Sequence, residues 1–310
     1  MRKFFKHLAI LLSLLLVVGG LVACSTTKTS TETKNTGKKI GMVISTLNNP
    51  FFVTMKEAAE AKAKELGYEI VILDSQNDAT KERTNVEDLV QQGISVLIIN
   101  PTDSDSVATS IKVAQDKKIP VITVDRAANG VDVALHIASD NVAGGKMAAQ
   151  FILEKLGNKG NIVELQGIPG ASATRDRGNG FHSVVDSVKD VKVVASQSAD
   201  FDRQKGLNVM ENIIQAVPKF DAVFAHNDEM ALGAIKALKA ANKKVIVVGF
   251  DGTQDAVTAI KNGEMTATIA QQPDLMGSLA VENAVKLIKG ENVPKQIPVD
   301  LKLLTKDNVK

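Results

Sequence analysis

The chain of 310 residues is 44% apolar and 23% charged, the composition of a folded globular protein with room for two domains of ordinary size. A net charge of +2, part of it in the first six residues, leaves no basic footprint for nucleic acid. A single cysteine excludes an internal disulfide.

Arg2, Lys3 and Lys6 precede an apolar run from Leu8 to Leu16, and Leu21-Val22-Ala23-Cys24 follows shortly after Gly19 and Gly20. This is the layout of a secretory signal over residues 1–23, with an apolar core short for a membrane span. The Leu-x-Ala-Cys sequence resembles the bacterial lipobox, which implies an acylated Cys24 as the first mature residue. Two acyl chains on one residue suffice for stable anchoring. Residues 25–39, STTKTSTETKNTGKK, carry no apolar side chain. Residues 24–39 are therefore expected to form a lipidated cysteine and a disordered tether, with the fold beginning near Ile40.

From Ile40 onward, short β-branched runs alternate with longer helical patterns. The runs cover 40–45 (IGMVIS), 69–74 (EIVILD), 96–100 (VLIIN) and 120–125 (PVITVD). They continue at 162–166 (IVELQ), 191–196 (VKVVAS), 222–226 (AVFAH), 245–250 (VIVVGF) and 267–271 (ATIAQ). Such continuous apolar runs suit parallel strands covered on both faces. Between them, stretches such as 52–67, 143–157 and 228–242 have helical spacing and end at Gly or Asn. The alternation predicts right-handed βαβ units in doubly wound sheets. The number of strands points to two sheets, and VTVD and NPTDSD in the first half are echoed by VGFDG and HNDEM in the second.

Ligands of open α/β sheets bind beyond the carboxyl ends of the strands, so the residues there are the candidates. Asn49, Phe51 and Phe52 follow the first run, Asn100 ends the third, and Asp125 and Arg126 end the fourth. Arg177 and Phe201 follow the fifth and sixth, Asn227 and Asp251 the seventh and eighth, and Gln271 closes the ninth. One Asn or Asp at such a place is equally well explained as a helix N-cap. Collectively these residues supply amides, carboxylates and guanidiniums, the groups that meet hydroxyls able both to donate and to accept. The chain has no Trp and one Tyr, yet Phe51, Phe52, Phe201 and Phe250 fall where loops should be polar. Phe250 is the one best placed to pack under a loop. Flat rings beside amides suit the apolar faces of a sugar. Two Asp and two Arg sum to zero charge, whereas an anionic ligand would call for an excess of base. If all four face one cleft, the ligand is a small neutral polyol.

Enzyme signatures are missing from the sequence. GIPGAS (167–172) lacks the full dinucleotide-binding glycine pattern, and neither GxxxxGK[ST] nor GxSxG occurs. His136, His182 and His226 are too scattered in sequence for a metal cluster. No catalytic residue, metal or cofactor is expected.

Most of the candidate residues lie in stretches that closely resemble the bacterial ribose-binding proteins of ABC importers. These are STLNNPFF (45–52), LDSQN (73–77), INPTDSD (99–105), HIASDN (136–141) and ELQGIPG (164–170). ADFDRQKGLNVM (199–210), NDEMALGA (227–234), VGFDGT (248–253) and PVDLKLL (298–304) complete the set, so the resemblance spans the whole folded part. It implies an α/β fold of the periplasmic binding protein type I class, with two similar doubly wound parallel-sheet domains joined by a three-strand hinge. The implied lobes are 40–139 plus 272–300 and 140–271 plus 301–310. The implied ribose contacts are Asn49, Phe51, Phe52, Asn100, Asp125, Arg126, Arg177, Phe201, Asn227, Asp251 and Gln271. In that scheme Phe51, Phe52 and Phe201 sandwich the ring, Asp125 and Asp251 accept from hydroxyls, and Arg126 and Arg177 donate. Thr174 and His226 depart from the family pattern outside this shell. The resemblance further implies a monomeric extracytoplasmic receptor, not an enzyme, that closes on ribose and delivers it to ABC permease subunits. Cys24 would anchor it to the outer face of the cytoplasmic membrane. Another pentose, a hexose or autoinducer-2 are alternative ligands, and a chemoreceptor or sensor is a further partner open to this class. Repressors of the lactose-repressor family share the core fold but carry a DNA-binding helix-turn-helix where this chain has its signal and tether.

Overall fold

The computed structural model describes residues 38–309, so the expected signal, Cys24 and nearly all of the tether lie outside the described residues. One sheet contains β1 (Lys39–Ile44), β2 (Glu69–Asp74), β3 (Ile94–Ile99), β4 (Val121–Val124), β5 (Leu135–Ser139) and β11 (Gln296–Val299). Its order is β11-β5-β4-β3-β1-β2, parallel throughout. The other contains β6 (Gly160–Gln166), β7 (Val191–Ser198), β8 (Ala222–Ala225), β9 (Ile246–Asp251), β10 (Ala267–Ala270) and β12 (Lys302–Thr305). Its order is β12-β10-β9-β8-β6-β7, and only β12 runs antiparallel to its neighbour.

The reason both sheets are covered twice is visible in β3. Val96 and Ile98 join an apolar layer with helices α1 (Pro50–Leu66) and α9 (Pro273–Ile288). Leu97 and Ile99 point the other way, into a layer with α2 (Ala79–Gln91) and α3 (Val107–Asp116). All four side chains are fully buried, each stabilising the fold by about 1.5–3 kcal/mol relative to exposure. The second sheet repeats the arrangement. Ala222 and Phe224 of β8 face α4 (Asn141–Leu156) and α5 (Ser172–Val185). Val223 and Ala225 face α6 (Arg203–Ala216), α7 (Asp228–Ala240) and α8 (Gln254–Lys261).

All nine runs read from the sequence are strands. The three strands without such runs are β5, β11 and β12, which lie at or beside the points where the chain passes between sheets. It passes after Ser139, after Ala270 and between Val299 and Lys302. β11 is an edge strand, where Pro298 costs no ladder partner on its open side.

Candidate functional site

The carboxyl ends of both sheets face each other across a cleft, and the helix starts set its walls. Asn49 caps α1, its Oδ1 accepting from the Phe51 N–H at 2.9 Å, and Pro50 occupies the first turn. The cap holds Phe51 and Phe52 at the cleft with their rings edge to face, 5.2 Å apart. Asn227 caps α7 in the same way, accepting from Met230 N–H at 3.0 Å, while its Nδ2 donates to the Phe201 carbonyl at 3.2 Å. Capping and site placement are therefore compatible roles for these two residues.

Three candidates occupy backbone regions that L-residues avoid. Asp125 has φ 63°, Phe201 φ 59° and Asp251 φ 129°. Such conformations cost on the order of 1–3 kcal/mol and persist where surrounding contacts enforce them, often at ligand sites. Asp125 and Asp251 end equivalent strands, β4 and β9, in the two sheets.

The charged groups at the cleft form two Asp–Arg pairs. Arg126 Nε is 3.8 Å from Asp125 Oδ2, and its Nη1 donates to the Pro101 carbonyl at 3.2 Å. Arg177 Nη1 is 3.8 Å from Asp251 Oδ1 and donates to the His226 carbonyl at 2.5 Å, while Nε donates to Asn141 Oδ1 at 2.8 Å. Gln271 Nε2 donates to Asp251 Oδ1 at 2.9 Å. Burial pushes the Asp125 and Asp251 carboxyls up, opposed chiefly by the guanidiniums of Arg126 and Arg177. Burial likewise lowers both arginines, opposed by the same carboxylates, but a guanidinium keeps its proton. The four charges cancel in one low-dielectric place. Arg126 stacks over Phe52 and Phe201 at 5.2 and 5.3 Å, and Arg177 over Phe250 at 3.7 Å.

Asn49, Phe51, Phe52, Asp125, Arg126, Arg177, Phe201, Asn227, Asp251 and Gln271 line the cleft. The expected zero sum thus applies to one site. Asn100 is the exception. It lies fully buried behind the cleft, accepting from Ser45 N–H and Oγ and donating to the Val124 carbonyl and Asp125 Oδ2. These hydrogen bonds make it a brace for Asp125. Ala173 also lines the cleft, a position that no chemical signal in the sequence marks. Phe250 is fully buried under Arg177, the packing role expected of it. Two atoms on lining residues, Arg126 Nε and Gln271 Oε1, are buried without a partner. One can donate and the other accept, which is what a hydroxyl requires.

Beneath Arg177 lies a second polar cluster. Glu164 is fully buried, and its Oε1 accepts from His226 Nε2 at 2.9 Å. Its Oε2 accepts from Ser196 Oγ at 2.5 Å and Gln166 Nε2 at 3.0 Å, and lies 3.3 Å from His182 Nε2. Burial alone would raise the Glu164 pKa, but the His226 hydrogen bond and the other donors bring it down to about 2. His226 is also fully buried, and burial pushes its pKa down while the Glu164 carboxylate opposes that shift. The sequence offered one hint of this pair, an acidic residue inside an otherwise apolar run.

The two lobes touch directly in this structure. Ser104 N–H donates to the Gly170 carbonyl at 3.0 Å, and Ala127 N–H to Ser172 Oγ at 2.9 Å. The cleft is closed. Among the described residues, no group of three or more His, Cys, Asp or Glu is placed to hold a metal ion.

Residues 40–292 match the family described as periplasmic binding protein domain. The chain belongs to that family. It is 57% identical over 266 residues to the ribose import binding protein of Haemophilus influenzae, covering 86% of this chain and 91% of that one. It is 49% identical over 305 residues to the ribose import binding protein of Bacillus subtilis, covering 97% and 99%. A solute-binding protein of an ABC transporter from Bacillus halodurans, solved with bound myo-inositol, superposes with a TM-score of 0.84 at 34% identity. That match covers 88% of this chain and 96% of the solved one. The arabinose ABC transporter's periplasmic binding component from Shewanella, bound to arabinofuranose, gives 0.84 at 31% identity over 88% and 93%. These relatives are binding components of import systems rather than enzymes.

Proposed function

We propose that this protein is an exported receptor that captures ribose by closing its two lobes and delivers it to the permease of an ABC importer. The observation that carries the reading is the charge-balanced set of Asp125, Arg126, Arg177 and Asp251, contributed by both sheets and walled by Phe51, Phe52 and Phe201. Similarity to ribose import binding proteins over nearly the full chain supports the choice of sugar. In this reading the carboxylates accept from vicinal hydroxyls, while the guanidiniums, Asn49, Asn227 and Gln271 complete the ring of donors and acceptors. Residues 40–139 plus 272–300 and 140–271 plus 301–310 move as the two lobes. Each carries half of the site, so only closure satisfies every hydroxyl, and sugar favours the closed state by its greater affinity for it. The permease then distinguishes loaded from empty receptor by shape. Acylation of Cys24 anchors the receptor to the outer face of the membrane, and residues 25–39 serve as its leash.

Calorimetric titration of the soluble lobes with ribose, other pentoses, hexoses and autoinducer-2 tests the ligand. Ribose should bind with the highest affinity and leave the solution chemically unchanged. Tighter binding of another sugar would replace the ligand within the same class. Conversion of any sugar would overturn the receptor reading itself.

A further inference from the structure

Phe201 is held unusually firmly for a loop residue. Its own φ is 59° and that of Asp200 is 52°, so two consecutive residues adopt left-handed backbone. The Asn227 amide donates to its carbonyl, and the segment is tied to the end of β6 by Ala199 N–H to the Gln166 carbonyl at 2.8 Å and Ser198 Oγ to the Gly167 carbonyl at 2.8 Å. On its cleft side, the ring faces the guanidiniums of Arg126 and Arg177 at 5.3 and 5.8 Å.

Gly167 packs against this ring. A Cβ at that position would lie 2.0 Å from Cζ and 2.3 and 2.4 Å from the two Cε atoms of Phe201. The φ of Gly167 is not in the left-handed region, so its backbone accepts alanine. The three nearest atoms to that Cβ all belong to the ring. Reaching an ordinary contact of 3.4 Å requires the ring to move by about 1.4 Å. The Phe201 ring lines the cleft together with both arginines, so a shift toward Arg126 and Arg177 narrows the site.

We propose that Gly167 is a positioning residue for the sugar site: its missing side chain lets Phe201 sit back far enough for a pentose ring to enter. The proposal rests on the sugar-receptor reading above and names a residue that reads sugar size through Phe201. Alanine at 167 would narrow the site from behind without touching the ligand.

A double-mutant cycle with a structural control tests it. Gly167→Ala should weaken ribose binding by about tenfold to a hundredfold, the scale of overpacking a tight site. In a Phe201→Leu background the same substitution should change affinity by less than about twofold, because the smaller side chain leaves the methyl room. A defect in the fold of the lobe would carry the same penalty in both backgrounds. The crystal structure of the sugar-free Gly167→Ala protein should show the 201 ring displaced toward Arg126 and Arg177 by about 1 Å or more. Unchanged ribose affinity, an equal penalty in both backgrounds, or a ring that stays in place overturns the proposal. If the unmutated protein fails to bind ribose, the ligand reading fails, and the ring position still decides the role of Gly167.

Discussion

Glu164→Gln removes one proton-accepting charge from a site with four surrounding donors and keeps the volume. A Gln oxygen accepts from one side of the cluster, but its amide then faces either the His226 Nε2–H or the Ser196 and Gln166 donors. The magnitude follows from the carboxyl's pKa, which falls from 4.5 to about 2 in the fold and so corresponds to about 3 kcal/mol. Because the folded pKa is depressed, that stability is present above pH 4.5 and is lost as pH falls through about 2. Urea unfolding at pH 7 should therefore show the variant less stable by about 2–4 kcal/mol. The gap should hold down to pH 4.5 and shrink below it as the native carboxyl gains its proton. Ribose affinity should fall in parallel, because the His226 carbonyl that receives Arg177 loses its support. A gap under about 0.5 kcal/mol at pH 7, or one independent of pH, would refute the assignment of Glu164 as an ionised hub.

Asp125→Asn tests the carboxylate without disturbing a backbone at φ 63°, which Asn tolerates better than Ala. Loss of one or more charged hydrogen bonds should weaken ribose binding by about tenfold or more, with the melting temperature of the sugar-free protein little changed. Gly170→Ala would place Cβ 1.8 Å from Asp103 Oδ2 and 2.8 Å from its Cγ across the lobe contact. Asp103 Oδ1 is fixed by the N–H groups of Ser106 and Asp105 at 2.7 and 3.0 Å, so it does not swing away freely. Small-angle scattering with saturating ribose should therefore show a more open average shape than the unmutated protein, and Asp103→Ala should restore closure. Cys24→Ala should move the protein from the membrane fraction to the medium or periplasm; retention in the membrane would remove the anchor from the reading.

The legible part of the fold was the part made of continuous apolar runs. Parallel strands buried on both faces, such as β3 with Val96 to Ile99, leave an unbroken signature. β5, β11 and β12 do not: each has only four or five residues, and polar residues or a proline interrupt them, as His136 does in β5, Pro298 in β11 and Lys302 in β12. The candidate site was legible because strand ends are fixed by the strands, so residues far apart in sequence could be assigned to one rim before any geometry was known. Which of them face the cleft was not. Asn100 resembles its neighbours in sequence, yet it sits behind the cleft wall, bonded to Ser45, Val124 and Asp125. Pairings such as Glu164 with His226, 62 residues apart, depend on side-chain placement across adjacent strands and leave no local pattern.

The three passages of the chain between sheets have a consequence for the order in which the molecule can be assembled. The layer formed by Phe51, Phe52, Met55, Ala59 and Ala63 of α1 is closed by Met276, Ala280, Val281, Ala284 and Val285 of α9. β11 then completes that sheet beside β5. The first lobe therefore has no finished core until residues near 299 have left the ribosome, although its first five strands are made long before. Until then the apolar face of α1 in the first lobe lacks the helix that covers it, whereas the strands β6–β10 of the second sheet and their helices are already contiguous in the chain.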